Sequence, residues 1–305
     1  MELRIATRES RLALWQANWV REKILAKFTK LDVQLVPMTT EGDQRLDRSL
    51  ADIGGKGLFI KELEQALLDH RADLAVHSMK DLTTEFPTSL ELPVIAERDD
   101  PNDALVSNKF SNLNKLPDGA VIGTSSLRRK SQLAHFYPNI MIKNLRGNLD
   151  TRLRKLDDGD YDAIILAVAG LKRLGLQERI AQVIPHSVML PAIAQGAIGI
   201  ETRFGDQDTL QWIQHLKHAM TERELRCERT VLSGLSGNCH VPISGFCFEN
   251  RGKVHLEARI GDPDGTELLV AQQTGLLEEP EKLGKEVTNQ LIKLGAAKIV
   301  EEFRS

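Results

Sequence analysis

The chain has 305 residues, 41% of them hydrophobic and 27% charged, which is ordinary globular content with room for two or three domains. Forty basic against 43 acidic residues leave a net charge of −3, so no global field draws in nucleic acid or an anionic membrane surface. Aromatics at 5% are too sparse for a base-stacking surface, and three cysteines (Cys227, Cys239, Cys247) make neither a disulfide framework nor a zinc pattern.

The chain opens on a strand, "LRIAT" (Leu3–Thr7), with no basic-then-apolar leader visible before it. Apolar residues at 12, 15, 19/20 and 24 then give helical spacing, with Ser10 placed to cap the helix. "VQLVPM" is the next strand, and "GLFIKELEQALLD" and "ADLAVHS" follow as helix and strand. Between them lies a long glycine-containing stretch, Thr39 to Gly57, which has no periodicity and reads equally as a lid carrying Lys56 or as a plain surface loop. A second series starts near Ala120: strand "AVIGT", helix "SLRRKSQLAHF", strand "IMIKN", helix "NLDTRLRKLDDG" and strand "DAIILAV". This alternation predicts two similar α/β domains with mainly parallel sheets. The longest apolar run, from Ala163, is too short to span a bilayer.

Two segments read as crossings between domains, "ERDDPNDALVS" and "LPAIAQGAIGIE". From Thr221 the pattern changes to a charged helix, a cysteine loop, the strands "PISGFCF" and "VHLEARI", and a last helix from Glu279. The expected division is 1–98 with 191–216 as domain 1, 99–190 as domain 2, and a small α+β domain 3 at 217–305.

In open α/β sheets, ligands bind beyond the carboxyl ends of the strands. Those ends here carry Arg8 and Ser10, then Thr124, Ser126, Arg128 and Arg129, then Arg146 and Arg152, then Arg173, with Lys56 and Lys61 in "GGKGLFIKE". One arginine taken alone is more often a solvated helix face, but a set recurring at strand ends predicts a site for a polyanion. "VHSMKDL" adds His77, Ser78, Lys80 and Asp81; composition alone favours Asp81 as a cap at a turn, but a carboxylate beside a cation and a hydroxyl can also stabilise a developing cation and move a proton. "GGKG" is not a phosphate loop, because Gly57 stands where Ser or Thr is needed. Cys239 in "GLSGNCHVPISG" sits among small turn residues and reads as an accessible thiol, whereas Cys227 and Cys247 read as structural. His240 is no base for it, since neighbours on an extended segment point to opposite sides.

The motifs "VHSMKDL", "GTSSLRR", "NLRGNLDTRLRKL", "LAVAGLKRLG", "PAIAQGAIGIE" and "GNCHVPISG", in this order, resemble the series of the porphobilinogen deaminase (hydroxymethylbilane synthase) family over nearly the whole chain. The resemblance implies two periplasmic-binding-protein-like α/β domains plus a small C-terminal domain. It implies a monomeric cytoplasmic transferase that joins four porphobilinogen molecules head to tail, releasing ammonia, in tetrapyrrole biosynthesis, with no nucleic acid, membrane or metal partner. A dipyrromethane cofactor would be linked by a thioether to Cys239, which accounts for that thiol. The family's cofactor contacts match Ser78, Lys80, Asp81, Thr124, Ser126, Arg128, Arg129, Arg146 and Arg152. Its substrate contacts match Arg8, Ser10, Arg146, Arg173 and Gln195, and Asp81 matches its catalytic carboxylate. Met79 and His240 stand where relatives vary, and neither change removes a functional side chain.

Overall fold

A computed structural model describes residues 2–44, 59–84, 87–235, 241–276 and 278–303. The chain separates into two compact units: residues 1–99 with 197–222, and residues 100–196 with 223–305.

The first unit is built on strands β1 (Glu2–Arg8), β2 (Asp32–Met38), β3 (Leu74–Ser78), β4 (Leu90–Ile95) and β10 (Ile198–Arg203), in the order β2-β1-β3-β10-β4. β1 runs parallel to β2 and to β3, while β10 is antiparallel to both of its neighbours. Helix α1 (Arg11–Lys27) begins where predicted, with Ser10 as its N-cap accepting from Ala13 N at 3.4 Å. It buries Ala13, Gln16, Ala17, Val20 and Ile24, one stripe at helical spacing. That stripe packs with Leu3, Ile5, Leu74, Val76, Val94, Ile198 and Ile200 of the sheet. A short helical turn, α2 (Glu41–Gln44), follows β2, and α3 (Lys61–Leu68) packs Leu63, Ala66 and Leu67 with Ala6 and Ala75.

The second unit repeats this plan. Strands β5 (Asp103–Val106), β6 (Val121–Gly123), β7 (Met141–Lys143), β8 (Ala163–Ala167) and β9 (Ile180–Val183) lie in the order β7-β6-β8-β5-β9. β6 is parallel to β7 and β8, and β5 is antiparallel to β8. Numbered from each sheet's first parallel strand, both orders read second, first, third, an antiparallel strand, then a last one. The prediction of two similar, mainly parallel α/β sheets therefore holds, with one antiparallel strand inserted in each. Helices α4 (Leu127–Phe136), α5 (Leu149–Asp157) and α6 (Val168–Arg173) cover this sheet. β5 alternates Ala104 and Val106 toward α5 and α6 with Leu105 toward α4, the two-residue period of a strand buried on both faces.

α7 (Gln207–Ile213) closes the first unit's sheet, and α8 (Ala219–Gly234) then leads toward the cysteine loop. The C-terminal part is an antiparallel meander, β11 (Ile243–Asn250), β12 (Lys253–Gly261) and β13 (Leu268–Leu276), backed by α9 (Pro280–Leu294) and α10 (Ala296–Glu301). Gly295 ends α9 at φ 109°, a left-handed position that suits glycine. This is the predicted small C-terminal domain, with β13 as a third strand that the sequence pattern did not give. Both predicted crossings also run into strands: "ERDDPNDALVS" contains the whole of β5, and "LPAIAQGAIGIE" the start of β10.

Candidate functional site

In both sheets the order second-first-third makes a switch point between the first and third strands, where the carboxyl ends leave a crevice. In the first unit these are the ends of β1 and β3. Arg8 ends β1, and its guanidinium carbon lies 4.2 Å from the centroid of the Phe59 ring. Ser78 ends β3 and exchanges hydrogen bonds with the buried Gln16 amide, donating to Oε1 at 3.1 Å and accepting from Nε2 at 2.9 Å. Met79–Asp81 form one 3-10 turn anchored by the buried Met79, so Lys80 and Asp81 project from the end of β3. Asp81 is half-buried, and its carboxylate has no hydrogen-bond or ion-pair partner among the described residues. Behind the turn, His77 Nε2 lies 2.9 Å from Glu201 Oε2, both side chains being buried.

In the second unit the crevice lies at β6 and β8. Thr124, buried just past β6, accepts from Ser126 N at 3.2 Å through Oγ1. Ser126 occupies the N-cap position of α4, yet makes no side-chain cap bond; Asn148, heading α5, does cap, accepting from Thr151 N at 3.0 Å. Among the described residues, the start of α4 thus keeps unpaired backbone N–H groups beside two hydroxyls, an arrangement that favours an anion. Arg146 lies in the turn before α5 and Arg152 in its first turn, with Arg152 Nε donating to Gly147 O at 2.7 Å. Arg173 ends α6 and donates to Gly196 O.

Three predicted contacts turn inward. Arg128 and Arg129 are 5% and 6% exposed, and both are paired with the fully buried Asp103. Gln195, 1% exposed, donates through Nε2 to Pro101 O at 2.7 Å and to Asp103 at 3.0 Å. Burial pushes the Asp103 carboxyl up, but the two guanidiniums outweigh it and hold it well below the usual carboxylate range. Sequence reasoning missed Asp103; its one signal was a charge heading the otherwise apolar "DALV" of a buried strand.

Lys56 and Cys239 lie outside the described residues. The bases of the cysteine loop are described. Glu228 of α8 is buried and accepts from Cys247 N of β11 at 2.8 Å through Oε1, and from Ala194 N at 2.7 Å through Oε2. Cys227 and Cys247 are buried free thiols, and the hydrogen bond with Cys227, then burial, pushes the Cys247 thiol up, away from reactivity. Among the described residues no helix is long and apolar enough to cross a membrane, and no group of three acids, histidines or cysteines is placed to hold a metal.

Each of the two α/β sheets carries cations and hydroxyls at its switch point, and the second adds a helix start with no side-chain cap. Residues 3–211 match the family described as porphobilinogen deaminase, dipyromethane cofactor binding domain, and residues 223–293 match porphobilinogen deaminase, C-terminal domain. The chain belongs to the porphobilinogen deaminase family, enzymes of tetrapyrrole biosynthesis that carry dipyrromethane. Among solved structures it is similar to a putative methionine-binding lipoprotein from Bacillus subtilis, at 13% identity and TM-score 0.44, over 71% of this chain and 90% of that one. It is also similar to the methionine-binding protein MetQ, at 15% identity and TM-score 0.45, over 70% and 89%. A periplasmic substrate-binding protein of an ABC transporter from Coxiella burnetii matches at 14% identity and TM-score 0.44, over 70% and 91%.

The donors of the second unit fit dipyrromethane by their chemistry. Its acid groups call for guanidinium forks, hydroxyls and free backbone N–H groups, and those stand together at the start of α4 and α5.

Proposed function

We propose that the protein polymerises four porphobilinogen molecules head to tail into hydroxymethylbilane, releasing ammonia, on dipyrromethane joined by a thioether to Cys239. The observation that carries this reading is the match of residues 3–211 to a dipyrromethane-binding family, on a chain that keeps a carboxylate at Asp81 and a thiol at Cys239. When bound, dipyrromethane supplies the pyrrole carbon from which the product grows.

The chain's own residues have three tasks. Ser78, Lys80, Thr124, Ser126, Arg128, Arg146 and Arg152 bind the acid groups of the tethered pyrroles, with Arg129 fixing the same helix start from inside. Arg8, Ser10, Arg146 and Arg173 receive the incoming substrate, and Gln195 supports them from the protein interior. Asp81 faces the positive charge that develops on porphobilinogen as ammonia departs, then accepts the proton displaced in coupling. Each coupling is nearly intramolecular, because one partner is tethered. The protein acts as a cytoplasmic monomer on a small-molecule substrate.

The test is the intact mass of the purified protein beside that of Cys239→Ser. The expected result is an excess of two linked pyrrole units in the wild type only, rising by single units with added porphobilinogen. Bare-chain masses for both proteins, unchanged by porphobilinogen, would overturn the reading.

A further inference from the structure

Asp103 heads β5 and is fully buried. Its Oδ2 accepts from Arg128 Nη1 at 2.6 Å, and its Oδ1 accepts from Arg129 Nε at 3.1 Å, Arg129 Nη2 at 2.7 Å and Gln195 Nε2 at 3.0 Å. The two guanidiniums are not equivalent. Arg129 also gives Nη1 to Ile165 O at 2.7 Å, so all three of its nitrogens are engaged. Arg128 spends only Nη1, on Asp103 and on Leu190 O at 2.8 Å. Its Nε and Nη2 have no partner among the described residues. The cluster therefore holds two cations against one anion, and Arg128, the second residue of the uncapped helix α4, keeps one guanidinium edge without a partner among the described residues. Buried charge of this kind calls for a further anion.

We infer that Asp103 is a positioning residue for the proposed reaction: it turns the open edge of Arg128 toward the acid groups of dipyrromethane and fixes the Gln195–Gly196 turn, whose carbonyl receives Arg173. The inference rests on the function proposed above. The substitution pattern that isolates it uses the charge count. Asp103→Asn keeps the shape of the side chain but leaves two buried cations facing a neutral amide. Asp103→Asn combined with Arg129→Gln removes the excess charge while still lacking the group that aims Arg128. A merely structural Asp103 would let stability and cofactor loading recover together in the double variant. A positioning Asp103 would separate them.

The experiment measures thermal melting, and the fraction of each purified holoenzyme that carries the two-pyrrole mass, for the wild type, the single variant and the double variant. The expected result is a lowered Tm in Asp103→Asn and a higher one in the double variant, with loading at least fivefold below wild type in both. Wild-type loading in the single variant, or loading that recovers with Tm in the double, would overturn it. So would failure of both variants to fold, which would assign Asp103 to stability alone. A wild type that itself lacks the pyrrole mass would instead overturn the proposed function.

Discussion

Glu228 holds Ala194 at φ 61° by accepting its main-chain N–H at 2.7 Å, a left-handed conformation that alanine seldom adopts. The same carboxylate takes Cys247 N, so one buried side chain joins the helix before the cysteine loop, the strand after it, and the segment leading to Gln195. Hydrogen bonds to a charged acceptor contribute about 1.5–3 kcal/mol each, and an amide in its place must turn a donor toward one of the two N–H groups. Glu228→Gln is expected to cost about 2–4 kcal/mol in denaturant unfolding. Glu222→Gln, on the same helix and paired only at the surface with Lys217 among the described residues, is expected to cost under about 1 kcal/mol. Equal losses would refute the clamp.

Asp81 separates activity from stability. Half-buried and without a partner among the described residues, it adds little to the fold. Asp81→Asn should leave Tm within about a degree of wild type, since such substitutions usually stay inside 0.5 kcal/mol. It should lower kcat on the order of 100- to 1000-fold, the usual cost of losing an electrostatic and acid-base group. Steady-state kinetics with porphobilinogen, beside a melting curve, decides it; a large drop in Tm would mark Asp81 as structural.

Gly199 of β10 sets the height of that turn. A Cβ there would run into Met79 Sδ and come within 3.0 Å of Leu92 Cδ1. Met79 is the buried anchor of the Met79–Asp81 turn, so Gly199→Ala should shift Lys80 and Asp81 as well as overpack the sheet, at about 1–3 kcal/mol. A misplacement of this size should lower kcat about tenfold or more while the cofactor mass stays on the protein. Unchanged kcat in a folded variant would show that the turn absorbs the strain.

Glu64 gives a pH signature. Burial, then the neighbouring Glu201, pushes its carboxyl up, against the smaller pull of His77 and Lys61. The folded state then holds this proton at a higher pH than the unfolded chain, whose glutamates titrate at about 4.3. Stability is therefore lost as pH rises through that window, and none is lost below it. Glu64→Gln should melt above wild type at pH 7, with the gap closing as the pH falls toward 4. A gap that is constant with pH would exclude ionisation of Glu64 as its cause.

The legible part of this fold was whatever rests on local periodicity. Ser10 and the stripe through Val20 and Ile24 announce α1, and the apolar run from Ala163 announces β8. Of the strands that escaped, β13 lies next to its partner β12 in the chain, whereas β10 has its pairing set by distant chain. β10 carries Glu201 and Arg203 inside "IGIETR", which breaks apolar alternation; Glu201 is tolerated there because His77, on β3, bonds it. In the site, the residues at the ends of β1, β3 and β6 were legible because strand ends are where ligands gather. The inward turn of Arg128 and Arg129 was not. Successive helical residues usually diverge, and only the length of their guanidinium stems lets both reach one carboxylate. That carboxylate is 25 residues from Arg128 in sequence, beyond any spacing rule.

The inserted antiparallel strands bear on how the chain can be made. β10 fills the space between β3 and β4, yet it is translated only after every strand of the other five-stranded sheet. At about 5–20 residues per second, β3 and β4 emerge from the ribosome and wait on the order of ten seconds for the strand that joins them. During that interval both present unsatisfied hydrogen-bonding edges to the cell, a standing invitation to mispair. The nascent first half is thus the stage at which this protein should most depend on chaperones.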